Sequence, residues 1–239
     1  MPGLTASQVL EVWETGRDRR PLDRALTILA AAFPDETYEA LANLPIGRRD
    51  QRLLEIRLGT LGPVIAGQVE CPACGERLEF DVAISTLLES SRGALRPGEP
   101  IEWISPSGMD LRFRVPNSDD LADVSLIAAP QEARRALAER CLLQGDAARL
   151  TPEDLDGLSE HMAAHDPLAD IHFDLVCPAC GDPWQTPFDI TAYFWLELRA
   201  QAHRLLREVD ALASAYGWRE ADILGLSAAR RQMYLELAW

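Results

Sequence analysis

Along the first sixty residues apolar side chains return every three or four positions, the spacing of one helical face, and turn signals divide the run into four helices. In "LTASQVLEVWETG" Thr5 stands as N-cap with Gln8 three residues on, Leu4 and Val9 are spaced for a hydrophobic staple, and Gly16 is the stop. A second helix is predicted from about Leu22 to Phe33 and ends at Pro34. Asp35 caps a third, and "GRRDQRLLEIRLGTLGP" supplies a fourth that breaks near Gly62-Pro63. Beyond it the period shortens from about 3.6 to about 2. "ERLEFDVAI", "DIHFDLV" and "DPWQTPFDI" read as extended, and "PIEWISPSGMDLRFRVP" reads as a hairpin about the turn Pro106-Ser107-Gly108, ended by Pro116. Helical patterning resumes at "NSDDLADVSLIAA" and again at Thr151, with Pro152 in the first helical position.

The clearest periodicity comes last. Trp195, Leu198, Ala202, Leu205, Val209, Leu212 and Tyr216 alternate three- and four-residue steps, a heptad seam. Such a seam serves either a helix packed on its own domain or self-association with a second copy of the chain. Gly217 breaks it, and two short helices follow, "READILGL" and "SAARRQMYLELAW". The second is capped by Ser227 and offers Met233, Tyr234, Leu237 and Trp239 to one face. A terminal amphipathic tail of this kind either docks on a partner or folds back on the core.

The pattern therefore predicts a mainly α protein with a small β module, an α+β chain in five parts. Residues 1–66 form an N-terminal helical region and 67–116 a first cysteine knuckle with its hairpin. Residues 117–169 form a helical insertion, 170–190 a second knuckle, and 191–239 a long helix with an amphipathic tail. At 239 residues and 47% hydrophobic content the chain can bury a real core. It has no run of about eighteen apolar residues for a membrane span and no signal-like start, so the expected address is cytoplasmic. Thirty-eight acids face twenty-three bases, and every base is arginine. Without lysine, Schiff-base chemistry and a P-loop lysine are excluded. A net charge of −15 with no basic stripe argues against nucleic acid as a partner. The acid excess concentrates from Asp146 to Asp189, where only Arg149 is basic; that reads as a solvated face or as a surface for a basic protein.

Four of the five cysteines lie in two identical pentapeptides, Cys71-Pro72-Ala73-Cys74-Gly75 and Cys177-Pro178-Ala179-Cys180-Gly181. In a reducing compartment such pairs hold a metal more readily than they form disulfides. Each predicts a tight knuckle in which the glycine takes a positive φ and turns backbone N–H groups toward the sulfurs. Cys71, Cys74, Cys177 and Cys180 together make a closed tetrahedral site for one structural Zn2+ per chain. Iron suits the same sulfurs, but zinc is the commoner occupant. A thioredoxin-type redox pair needs a helix after the motif, and here a strand-like run follows. Phe80-Asp81-Val82 after the first knuckle is echoed by Phe188-Asp189-Ile190 after the second, a weak internal duplication. The metal would close a loop of about one hundred residues, so its loss should detach the two halves and leave the insertion mobile. Cys141 lies on an apolar helical face and reads as a small buried hydrophobe.

Catalytic patterns are few. His161 and His165 in "HMAAH" share a helical face but lack the internal glutamate of a zinc protease. His172 and His203 read as structural. No nucleophile elbow, phosphate loop or dinucleotide fingerprint is present, so a binding role outranks an enzymatic one.

The order "VLEVWETGRDRRPLDRALTILAAAFP", "LPIGRRDQRLLEIRLGTLGP", first CPACG, "FRVPNSDDL", second CPACG, "FDITAYFWLELRAQAHRLLREVDALASAYGWREADILGLSAARRQMYLEL" resembles the baseplate hub assembly chaperone family of T-even-type phages. It looks closest to members from contractile injection gene clusters. The most specific stretch is "AYGWREADILGLSAARRQMYLEL". The resemblance implies a non-enzymatic role in building the baseplate hub, as a transient chaperone or a small component, with hub, spike or tube proteins as partners. On that reading Tyr216, Trp218, Ile223, Leu224, Tyr234 and Leu235 engage those subunits. The competing reading is a zinc-ribbon module for nucleic acid or transcription.

Overall fold

The computed structural model describes residues 3–90 and 99–238. Trp239, placed on the tail's face by the sequence pattern, lies outside them. The N-terminal helices are α1 (Ala6–Gly16), α2 (Pro21–Ala32), α3 (Tyr38–Ala42) and α4 (Ile46–Leu61). Thr5 and Gln8 close the expected capping box on α1. The third helix starts later than its sequence suggests. Thr37, not Asp35, accepts the bond from Ala40 N–H and so sets the helix start.

α4 leads into the antiparallel hairpin β1 (Val64–Glu70) and β2 (Arg77–Ala83), and then α5 (Ile84–Ser90). A second antiparallel hairpin, β6 (Ile171–Val176) and β7 (Pro183–Phe188), leads into the 27-residue helix α9 (Ile190–Tyr216). The seam of α9 is spent inside the chain. Trp195, Leu198, Ala202 and Leu205 join the large core with apolar residues of α1, α2 and α4, while Ile65, Ile84 and Leu87 enter from the first hairpin and α5. Self-association through the 195–216 seam is thereby corrected, because Trp195, Leu198, Ala202, Leu205 and Leu212 are already buried within the chain, with Val209 half-buried and Tyr216 at the surface.

Between the hairpins the chain builds a second core. β3 (Ile101–Ile104), β4 (Asp110–Phe113) and β5 (Leu142–Gln144) form one sheet in that order, flanked by α6 (Ser118–Val124), α7 (Pro130–Cys141) and α8 (Pro152–His165). Ile101, Leu111, Phe113, Val115, Leu155 and Leu158 are buried together there. The hairpin 101–113, grouped with the first knuckle in the sequence reading, thus packs with the insertion, and the three-residue strand β5 went unseen. Cys141 is buried as expected, and burial pushes its thiol up to about 12.

Two sequence segments fasten the second core to the first. Pro45 and Asn117 form a β-bridge, Ile46 N–H donates to Pro116 C=O (3.1 Å), and Asn117 donates to Asn43 Oδ1 (3.1 Å). Two residues on, Gly47 N–H donates to the buried Asp166 carboxylate at 2.8 Å. At the far end, α10 (Glu220–Leu224) and α11 (Ala228–Leu237) fold back on α9. Gly217 makes the reversal at φ 68°, and Arg231 fixes the return through Glu208 (2.7 Å) and Leu226 C=O (2.6 Å).

Candidate metal centre

The two CPACG segments are the tips of β1–β2 and β6–β7, and they adopt one local geometry. In the first, Cys71 N–H donates to Glu76 C=O (2.8 Å) and Gly75 N–H to Cys71 C=O (2.9 Å). In the second, Cys177 N–H donates to Asp182 C=O and Gly181 N–H to Cys177 C=O, both at 2.9 Å. Gly75 and Gly181 take φ of 74° and 78°, the left-handed region that a side chain would strain. Each knuckle therefore offers a buried first sulfur and an exposed second one.

An aromatic ladder brings the tips together. Phe80 of β2 meets Phe173 of β6 at 5.5 Å, Phe173 meets Phe188 at 5.0 Å, and Phe188 meets Tyr193 at 5.5 Å. The Tyr193 hydroxyl donates to Ala66 C=O (2.9 Å) and accepts from Ala66 N–H (3.2 Å), tying α9 to the edge of β1. The duplication is shared by the knuckles but not by the strands. Phe80 lies opposite Gly67 within its hairpin, whereas Phe188 is the last residue of β7, opposite Ile171.

All four sulfurs lie within 4.8 Å of one another. The short edges cross between knuckles, Cys71 to Cys180 at 3.7 Å and Cys74 to Cys177 at 3.6 Å. A disulfide needs about 2.05 Å. Four thiolates about 2.3 Å from one ion stand about 3.8 Å apart, so the set fits a tetrahedral metal. The electrostatics fit as well. Burial raises the Cys177 thiol, but N–H groups of Cys180 and Ala179 outweigh it and bring it down to about 7. At Cys74 the Glu76 N–H favours the thiolate, yet the crowding sulfurs push the thiol up to about 12. Four sulfurs this close ionise together only around a cation.

Among the described residues no other set of three or more metal-binding side chains converges. His161 and His165 each turn Nδ1 to a carbonyl one helical turn back, Gly157 at 2.9 Å and His161 at 2.8 Å. The His161 ring lies 4.6 Å from Trp103, so it is engaged in packing.

Of the six residues expected at a partner surface, Tyr216, Trp218 and Tyr234 form one partly exposed aromatic cluster. Tyr216 and Trp218 stack at 4.7 Å, and Tyr234 sets its edge to both. Leu235 is half-buried and Leu224 packs on the large core. Ile223 is corrected from a surface contact to a core residue, since it is wholly buried where α10 folds back on α9. Met233 and Leu237, 64% and 76% exposed, extend the open face along α11.

An acidic, mostly helical protein with two hairpins joined at a tetracysteine cluster is thus defined. A family model described as T4 bacteriophage base plate protein matches residues 9–195, which include both knuckles. The chain belongs to that family. No curated protein and no solved structure matches it. The family match ends near the start of α9, so the tail stretch "AYGWREADILGLSAARRQMYLEL" lies beyond it.

Proposed function

We propose that this chain is a non-enzymatic assembly factor or small component of the baseplate hub of a contractile tail or tail-like injection system. The observation that carries the reading is the family match over residues 9–195. The tetracysteine cluster supports a role for the metal within it. Cys71, Cys74, Cys177 and Cys180 hold one structural Zn2+, whose closed sulfur shell leaves no position for a reacting water. The ion's task is then mechanical, fixing one hairpin against the other.

Partners on this reading are hub, spike or tube subunits, met in the cytoplasm of the producing cell. The exposed Tyr216, Met233 and Leu237, with the half-buried Tyr234 beside them, supply apolar contact area at the tail. The test is purification of the chain from its native lysate. Recovery with intact contractile particles identifies a component, and recovery with free hub subunits identifies a chaperone. Recovery with neither overturns the proposal.

A further inference from the structure

Each short sulfur–sulfur edge of the cluster, Cys71 to Cys180 at 3.7 Å and Cys74 to Cys177 at 3.6 Å, runs from one hairpin to the other. Each edge also joins unlike partners. Cys71 and Cys177 are buried, at 2% and 1% exposure, whereas Cys74 and Cys180 are exposed. An oxidant arriving from solvent therefore meets Cys74 or Cys180 first, and the sulfur beside it is a buried one from the opposite hairpin. Cys141, the fifth thiol, is wholly buried at the end of α7 and stands apart from the cluster.

An accessible thiolate next to a shielded second thiolate is the arrangement in which a hydroperoxide makes a disulfide. The exposed sulfur attacks a peroxide oxygen, the O–O bond breaks, and the leaving alkoxide or hydroxide takes up a proton. The sulfenic acid so formed is attacked at sulfur by the buried thiolate, the S–O bond breaks, and hydroxide leaves to become water. Each pair of cysteines thus gives two electrons to one hydroperoxide, and a metal ion stripped of these ligands departs as Zn2+ with its own charge unchanged. The pairs have to close by about 1.6 Å to reach the bonded length of about 2.05 Å, a distance that side-chain rotation covers.

We propose that Cys71 with Cys180 and Cys74 with Cys177 form a hydroperoxide-reactive site, at which two disulfides across the hairpins replace the ion and keep the clasp closed. Pairing within each knuckle would have the opposite effect, because it would release one hairpin from the other. The inference rests on the reading of the cluster as a metal clasp and is independent of the hub assignment.

The test treats zinc-loaded full-length protein with hydrogen peroxide, follows released zinc with a chromogenic chelator, blocks free thiols and digests with trypsin. Cleavage at arginine places Cys71 and Cys74 on peptide 58–77 and Cys177 and Cys180 on peptide 150–199. The expected result is one zinc released for each pair of peroxides reduced, the two peptides joined by disulfides, and Cys141 left as a thiol. Amide exchange in residues 64–83 and 171–188 should stay within about twofold of the zinc-loaded protein, whereas chelation under a thiol reductant removes the same zinc and raises it. Disulfides closed within each peptide, sulfinic acids in place of disulfides, or hairpins freed by peroxide as they are by the chelator overturn the inference. Zinc is measured before peroxide is added. A chain without metal overturns the clasp reading and this inference together, and a zinc-loaded chain that keeps its zinc under peroxide overturns this inference alone.

Discussion

Gly47 and Asp166 meet at a junction between the two cores, amide to carboxylate at 2.8 Å. A Cβ on Gly47 would run into the Asp166 carboxylate and stand 3.0 Å from Ala169 N, so Gly47→Ala must push the segment away. Overpacking of this kind costs about 1–3 kcal/mol, which lowers Tm by about 2–4 °C for each kcal/mol in a chain of this size. Calorimetry should show that loss, and an unchanged Tm would mean that the contact is loose. Asp166 itself carries a pH signature. Burial pushes its carboxyl from 3.8 up to about 6, against the pull of the Gly47 N–H. The folded protein therefore binds more protons than the unfolded chain between those values, and this group's contribution to stability falls as pH rises through about 6. Asp166→Asn should flatten the stability profile between about pH 4 and 7 by up to about 3 kcal/mol. A parallel profile for the variant would contradict the assignment. Asp120 works with the opposite sign. Burial opposes its charge, but Arg114, the Asn117 N–H and Arg140 hold it below the usual range, so its stabilisation is lost only in stronger acid.

At the scale of elements, much was legible. Capping residues at Thr5, Thr151 and Ser227 and breakers at Gly62 and Gly217 mark helix ends by chemistry acting over a few residues, and the structure keeps them. The tight turns at the two CPACG segments were legible for the same reason, with Gly75 and Gly181 at positive φ. What escaped was set by tertiary packing: the short strand β5, the move of the 101–113 hairpin to the second core, and the partners of charged residues within apolar patterns. Arg57 is the clearest example. It is buried and grips Glu197 across 140 positions with bonds of 3.0 and 2.7 Å, joining α4 to α9. Its sequence signal is only an arginine beside the buried stripe Leu53, Leu54 and Ile56. Removing Glu197 as Glu197→Ala leaves that guanidinium with Gly62 C=O at 2.6 Å as its remaining strong acceptor, and about 2–3 kcal/mol of stability should disappear in denaturant titration. A loss below about 1 kcal/mol would show that the pair is no more than a surface bridge.

For the whole molecule, the two hairpins bracket the second core in sequence, but that core has its own apolar centre and its own fastenings at Asn117 and Asp166. Metal removal is therefore expected to free the hairpins rather than set the insertion adrift, as sequence distance alone suggested. Hydrogen exchange after chelation should rise in residues 64–83 and 171–188 before it rises in α7 and α8, and the reverse order would restore the simpler picture. Truncation before Gly217 should abolish co-purification with hub subunits while zinc content stays at one per chain, since the tail and the cysteines share no element; retained co-purification would remove the tail from the docking surface. The central claim is that distant cysteines enclose one ion, and X-ray absorption at the metal edge of natively purified protein tests it most directly. The account predicts one zinc per chain with four sulfur neighbours at about 2.3 Å, and a chain without metal, or a shell with nitrogen or oxygen ligands in place of sulfur, would contradict it.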